Sequence, residues 1–490
     1  VIIVGAGISG ISAAYHLQTF APPKLRYCIL ERRPQLGGTW DLFQYPGIRS
    51  DSDMYTFGYS FRPWASGNII APKDDILQYL KDTVEEYDIG KHIRYGMHMQ
   101  DAHWNSDEAR WTLTGTCTTE HQPKKNVAFR AQYLFMCVGY YDYDTAYTPD
   151  FPGAETFEGP IIHPQHWPTD LDYSNKQVVV IGSGATAVTL IPALTQGKNA
   201  AKHVTMLQRS PTYMIGKPAG ILQFLGRHIS RVFGHTAARW FFILAGMLVF
   251  GYCKYFPEWA KETFIGEAKE EVGDEVFGEG KDFTPRYYPW DQRLCLCPDG
   301  DFFQTLASGK ASIVTDHIVE VTKTGIRLQD ATKELQADII VTATGLRLLF
   351  GGGIKFTMDD NLEPLDPSSK FVYKGFMLNN VPNLFLAAGY TNASWTLKVD
   401  LTNKAACRLI AYMKEHNQDY CQPECGDHKM KAVQLMDLTS SYVQRHAQEL
   451  PKQSTFFPWR QNQNYFYDKY ALDYTSLQDE YMKFYKQKSN

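Results

Sequence analysis

The chain has 490 residues, 44% hydrophobic and 21% charged, a globular balance with room for roughly two to four folding units. Its net charge of −4 and a pI near 6.4 offer no basic field, which argues against nucleic acid as the main partner. Nine cysteines, an odd number with no CxxC and several inside apolar runs, predict buried free thiols in a reducing, cytoplasmic setting.

Residues 1–10 read VIIVGAGISG, an apolar strand followed by Gly5, Gly7 and Gly10 in G-x-G-x-x-G spacing. The first glycine permits a tight turn, the second lets backbone approach a pyrophosphate, and the third lets helix pack on strand. A second strand, YCILE, ends in Glu31, 21 positions beyond Gly10, where a carboxylate can accept hydrogen bonds from ribose hydroxyls. This unit is expected to hold an unphosphorylated adenosine ribose, as in FAD. The turn GGTWDLFQYPG follows at 37–47. Trp40 stands where disulfide reductases carry a redox cysteine, so a dithiol relay is not expected and dioxygen becomes the obvious electron acceptor.

Residues 157–168, FEGPIIHPQHWP, are too aromatic for a flexible linker. Proline breaks them too often for a helix or a central strand. They read as a connector with a packed Trp167. His163 and His166 are three apart, but Pro164 lies between them and no third ligand is near, so a zinc site is not expected. The dinucleotide pattern then recurs in VVVIGSGATA, giving Gly182, Ser183, Gly184, Ala185, Thr186 and Ala187, with Ala187 in the third glycine's place. Twenty-one positions on, Gln208 replaces the acid and is followed by Arg209 and Ser210. An arginine beside a hydroxyl favours a 2′-phosphate, so this unit is expected to hold NADPH.

Residues 216–291 lack strand alternation and predict an aromatic-rich helical insertion shaping a substrate cavity. Within it, 240–253 (WFFILAGMLVFGYC) is the most apolar stretch. Fourteen helical residues reach about 21 Å, short of a bilayer core. A buried channel helix and peripheral membrane contact through 240–253 both stay open. Strands are predicted in DIIVTATG (338–345) and NLFLAAG (383–389). Cys421, Cys425 and His428 lie close together without a fourth ligand pattern, and no metal is expected. The fold class is α/β, with two Rossmann-like dinucleotide-binding domains, the NADPH domain inserted in the FAD domain. The expected boundaries are 1–140 and 347–490 for FAD, 141–215 and 292–346 for NADPH, and 216–291 for the insertion. Hydride is expected to pass from nicotinamide to flavin.

FEGPIIHPQHWP matches FxGxxxHxxxWP through Phe157, Gly159, His163, Trp167 and Pro168, and residues 37–51 match [AG]GxWxxxx[FY]P[GM]xxxD. On these motifs the chain resembles the Baeyer–Villiger monooxygenases among the class B flavoprotein monooxygenases. SDSDMYT (50–56), PWDQRLCLCPDGD (289–301) and GYTNASWTLK (389–398) are similar to segments of the ethionamide-activating subgroup. The resemblance implies NADPH- and O2-dependent conversion of small apolar ketones to esters or lactones through a C4a-peroxyflavin, with side activity on sulfides and thioamides. The alternative is a flavin-containing monooxygenase-type S- or N-oxygenase with little ketone activity. It also implies that Arg293 is catalytic with Asp51 as its acidic companion. It assigns Ser9, Gly38, Thr39, Trp40, Asp41, Asp51, Met99 and Asn392 to FAD, and Arg49 and Ser50 to the nicotinamide side. One departure is Gln292, where many relatives carry a lysine that assists the 2′-phosphate. Preference for NADPH is then expected to rest on Arg209 and Ser210.

Overall fold

The computed structural model describes residues 1–65, 67–119, 122–329, 334–426 and 430–487. Short apolar runs ending in glycine turns become parallel strands buried on both faces. Ile2–Val4 is the central strand of a five-stranded parallel sheet, between Cys28–Leu30 and Leu134–Met136, with Ile93–Arg94 and Leu384–Leu386 at the edges. The chain leaves the central strand first to one side and later to the other. That reversal opens a crevice at the carboxyl end of Ile2–Val4, where ligands bind in such sheets.

A second five-stranded parallel sheet repeats the plan around Gln177–Ile181. His203–Gln208 and Ala311–Thr315 lie on one side, Ile339–Thr342 and Ile161–Ile162 on the other. The edge strand Ile161–Ile162 corrects the reading of 157–168 as a plain connector. Ile161 and Ile162 pair with Ile340 and Val341. Pro160 and Pro164 flank this pair rather than interrupt it, and an edge position tolerates both. His163 then accepts from the Gln165 N–H at Nδ1 (3.1 Å) and lies 3.3 Å through Nε2 from the Gly345 carbonyl. Both ring nitrogens are engaged, and burial lowers the pKa of the imidazole. His428 lies outside the described residues, and Cys421 is buried in the core of the first sheet.

Met97–Asn105, Arg110–Thr119 and Gln122–Ala131 form an antiparallel meander extended by Lys355–Met358. Its buried Trp111 donates to the Pro382 carbonyl at 2.9 Å, tying the meander to the first sheet's last strand. Helix Trp395–Glu415 covers that sheet against helix Ile8–Phe20. The Ser12 hydroxyl bonds Asp400 (2.9 Å) and receives the Asn403 amide (3.1 Å), satisfying polar groups that the packing buries.

Residues 216–291 contain three helices, Ala219–Phe233, His235–Tyr255 and Pro257–Phe277. Strands Met214–Lys217 and Cys295–Pro298 pair at the base of the excursion. The apolar stretch 240–253 is the middle of a 21-residue helix, about 32 Å long. The expected length of about 21 Å is therefore corrected, because His235–Arg239 and Lys254–Tyr255, which include polar His235, Thr236, Arg239 and Lys254, extend the helix past the apolar run. One face carries Ala238, Phe242, Ile243 and Cys253 into the protein. Buried Arg239 anchors that face by donating to the carbonyls of Tyr55 (2.8 Å) and Gly58 (2.6 Å).

Candidate active site

The first nucleotide turn is built by close approach. A Cβ on Gly10 would lie 1.9 Å from the Gly5 carbonyl oxygen, so only glycine lets helix Ile8–Phe20 start so near the strand. Glu31 ends the second strand, where its carboxylate accepts from the Ala6 N–H (2.7 Å) and the Arg33 N–H (2.8 Å). Burial raises its pKa against those two bonds. Trp395, from the first turn of its helix, donates its indole N–H to the Ser9 hydroxyl at 2.9 Å. Gly5, Gly7, Ser9, Glu31, Gly38, Thr39, Trp40, Met99 and Trp395 line one wall of a cavity of about 370 Å³. A Cβ on Gly7 would sit 3.6 Å from the Gly38 Cα, so the two glycines keep this wall open.

The opposite wall comes from the second unit. Ala185, Thr186 and Thr189 of helix Ala185–Leu194 line it, with Arg293 and Leu296. Gly47 brings the units together: it has φ +79°, and a Cβ there would meet the Thr189 carbonyl at 2.4 Å. Arg49, two residues on, forms a forked ion pair with Asp301 (2.5 and 3.2 Å). Asp301 opens helix Asp301–Ala307 of the second unit. Ser50 caps its own turn, accepting from the Ser52 N–H at 3.0 Å. Arg49, Ser50 and Asp51 all reach the cavity.

Arg293 and Asp51, 242 positions apart, meet there at 3.5 Å. Asp51 is half exposed, so solvent weakens this pair. Three tyrosines enclose the guanidinium. Among its neighbours the Asp51 carboxylate favours the charged guanidinium, while burial opposes it. The Tyr140 and Tyr141 hydroxyls are bonded at 2.7 Å, and Tyr140 stacks on Trp395. Burial pushes the Tyr442 hydroxyl up to about 12 and Tyr141 well above its ordinary value, so both stay protonated near neutral pH. The Arg293 Nε is inaccessible to solvent and has no hydrogen-bond partner among the described residues. A buried donor left so is expected to be met by a ligand.

Other sequence-predicted residues lie outside this cavity. Asp41 turns inward to Arg33 (2.8 and 2.5 Å) and Gln35. Asn392 donates to the Gln463 carbonyl at 2.9 Å, with its own oxygen buried and unpartnered. Gly10 and Ala187 are packing positions. Gly182, Ser183, Gly184, Arg209 and Ser210 gather instead at the carboxyl ends of the second sheet, with Arg209 exposed. Phe157, Gly159, His163, Trp167 and Pro168 belong to that sheet's edge. Sequence reasoning missed Tyr140, Tyr141, Tyr442 and Asp301. The run GYYDYD (139–144) directly after a sheet strand is a local signal for the first two. The other two reach the site from distant segments and leave no local trace.

Two dinucleotide-type units facing one cavity, with a fixed cation in its wall, define an oxidoreductase that passes electrons between two bound carriers. A family model described as FMO-like, flavin-binding monooxygenase-like, matches residues 1–220. The chain is 47% identical over 492 residues to the FAD-containing monooxygenase EthA of Mycobacterium tuberculosis, covering 99% of this chain and 97% of that protein. It belongs to this family of FAD-containing monooxygenases. The fold is shared with OTEMO in complex with FAD and NADP (TM-score 0.68, 21% identity, 86% of each chain). It is also shared with the polycyclic ketone monooxygenase of Thermothelomyces thermophila (TM-score 0.73, 17% identity, 99% of this chain and 89% of that one).

Proposed function

We propose that the protein is an NADPH- and O2-consuming Baeyer–Villiger monooxygenase of small apolar ketones, with sulfides and thioamides as further substrates. The balance is ketone, O2, NADPH and a proton to ester or lactone, water and NADP⁺. The carrying observation is the Arg293 guanidinium, set in the cavity wall with Asp51 at 3.5 Å and a buried, unpartnered Nε. The residues fit FAD: Gly5, Gly7 and Ser9 offer the pyrophosphate cradle, Glu31 the ribose acceptor, and Trp40 and Trp395 the apolar wall. When bound, FAD accepts hydride from NADPH and activates O2 for transfer of one oxygen atom.

The protein's own contribution is electrostatic and steric. Arg293 holds negative charge that develops on oxygen in the cavity, and Asp51 orients the guanidinium. Tyr140, Tyr141 and Tyr442 exclude water around it, and Tyr141 and Tyr442 offer protonated hydroxyls. The ester product distinguishes this chemistry from heteroatom oxygenation by the same cavity. Mass spectrometry of products from a ketone and a methyl aryl sulfide under labelled O2 is expected to find one labelled oxygen in an ester. Sulfoxide as the sole labelled product would favour the S-oxygenase reading instead.

The same proposal places the protein in the cytoplasm, resting on an anionic bilayer surface. Helices Ala219–Phe233 and His235–Tyr255 expose Ile221, Phe224, Phe233, Leu244 and Leu248. No Asp or Glu occurs between Asp172 and Glu258, whereas Arg227 and Arg231 stand exposed on the same helix. Apolar side chains beside uncompensated cations suit anionic lipid. The inner face held by Arg239 suits a helix lying on a membrane rather than crossing it. Co-sedimentation with phosphatidylglycerol vesicles is expected to fall about tenfold or more in Phe224→Asp/Leu248→Asp. Unaltered binding, or a stable dimer that hides this face and ignores vesicles, would contradict the placement.

A further inference from the structure

Arg445, in the short helix Ser441–His446, sits in an arrangement that packing does not account for. Its guanidinium lies over the Tyr147 ring, 3.4 Å from the centroid. Its Nε and Nη2 are buried and have no hydrogen-bond partner among the described residues. A guanidinium buried without an acceptor is costly unless an anion meets it. Aromatic stacking holds the charge in place but satisfies none of its N–H groups.

Its location specifies the anion. A Cβ on Gly345 would lie 3.4 Å from Nη2 of Arg445, so the guanidinium borders the segment leaving strand Ile339–Thr342. The turn after the neighbouring strand Gln177–Ile181 packs on that same segment: a Cβ on Gly182 would meet the Ala343 carbonyl at 2.2 Å. Arg445 therefore lies over the carboxyl ends of the second sheet, where the G-x-G-x-x-A turn and Arg209 also converge. Arg209 is near enough for its charge to act on Arg445. Burial and that repulsion lower the Arg445 pKa, with Tyr147 opposing. Arg209 is exposed at the end of strand His203–Gln208. Two like charges converging on one crevice, one with buried N–H groups that lack an acceptor, suit a dianion between them.

We propose that Arg445 is the second cation of the subsite for the NADPH 2′-phosphate, gripping it together with Arg209. This rests on the NADPH reading above and deepens it. His163 supports the geometry from the other side, by holding the Gly345 carbonyl at 3.3 Å.

The test is equilibrium binding to the purified, flavin-loaded full chain by calorimetry, without turnover. The probes are adenosine 2′,5′-bisphosphate, adenosine 5′-phosphate and inorganic phosphate. Wild type is expected to prefer the bisphosphate. Arg445→Gln is expected to weaken bisphosphate binding about tenfold to a hundredfold while leaving adenosine 5′-phosphate within about twofold. Arg209→Gln serves as the reference variant, and an unchanged flavin spectrum shows that each variant is folded. If Arg209→Gln loses the bisphosphate and Arg445→Gln does not, the Arg445 assignment is overturned and the NADPH reading stands. If wild type shows no preference for the bisphosphate, both fall. Equal loss of both adenosine ligands makes Arg445 a structural residue and overturns the assignment. Inorganic phosphate binding that also responds to Arg445→Gln would show the subsite acting independently of the nucleoside.

Discussion

Arg293→Ala is expected to abolish oxygen insertion while leaving reduction of the flavin by NADPH nearly intact. Loss of a fixed charge aimed at a developing anion costs about a thousandfold in rate. Hydride transfer needs no such anion and is expected to change less than about tenfold. Lysine in the same place supplies a point charge without the planar fork, so Arg293→Lys is expected to recover only part of the loss. Asp51→Ala is expected to cost less than Arg293→Ala, because the pair is 3.5 Å apart and Asp51 is half exposed. Stopped-flow reduction measured beside product formation separates these effects. An Arg293→Ala enzyme that still inserts oxygen at the wild-type rate would remove Arg293 from the reaction.

Asp468→Ala is expected to be the most damaging substitution away from the cavity. Asp468 accepts from the Lys398 ammonium at 2.7 Å and from the Tyr390 hydroxyl at 2.7 Å. Lys398 is only 2% exposed. Removing the carboxylate strands a buried charge, at a cost of about 3–5 kcal/mol. The bond also pins the C-terminal segment to the Gly389–Ser394 loop beside Trp395, so cavity shape and stability fail together. A thermal midpoint about 5 °C lower or more is expected. Lys398→Met/Asp468→Leu is expected to regain much of that loss, since replacing both partners removes the stranded charge. If the double variant is as unstable as Asp468→Ala, packing rather than charge governs the site.

Much of the frame was legible because each nucleotide unit writes a local pattern. VIIVGAGISG and VVVIGSGATA announce strand, tight turn and helix within ten residues. Glu31 and the Gln208–Arg209–Ser210 run follow at a spacing set by one helix and one strand. The edge strand Ile161–Ile162 was not legible, because two residues between prolines carry no periodicity and only pairing with Ile340 and Val341 makes them a strand. The His235–Tyr255 helix outran its apolar run because polar residues at both ends keep helical geometry without hydrophobic signal. Arg293 and Asp51 came together in the sequence only through a resemblance. Tyr442 and Arg445 had no such guide, since their partners lie more than a hundred positions away. Local chemistry predicts the units, and long-range closure decides which side chains share a charge.

The most direct test mixes the purified yellow protein with NADPH under strict exclusion of oxygen and follows the flavin absorbance. The account predicts rapid bleaching, and recovery of the colour when oxygen is admitted. A protein that carries no flavin, or one whose flavin keeps its colour in excess NADPH, would contradict electron passage between the two units.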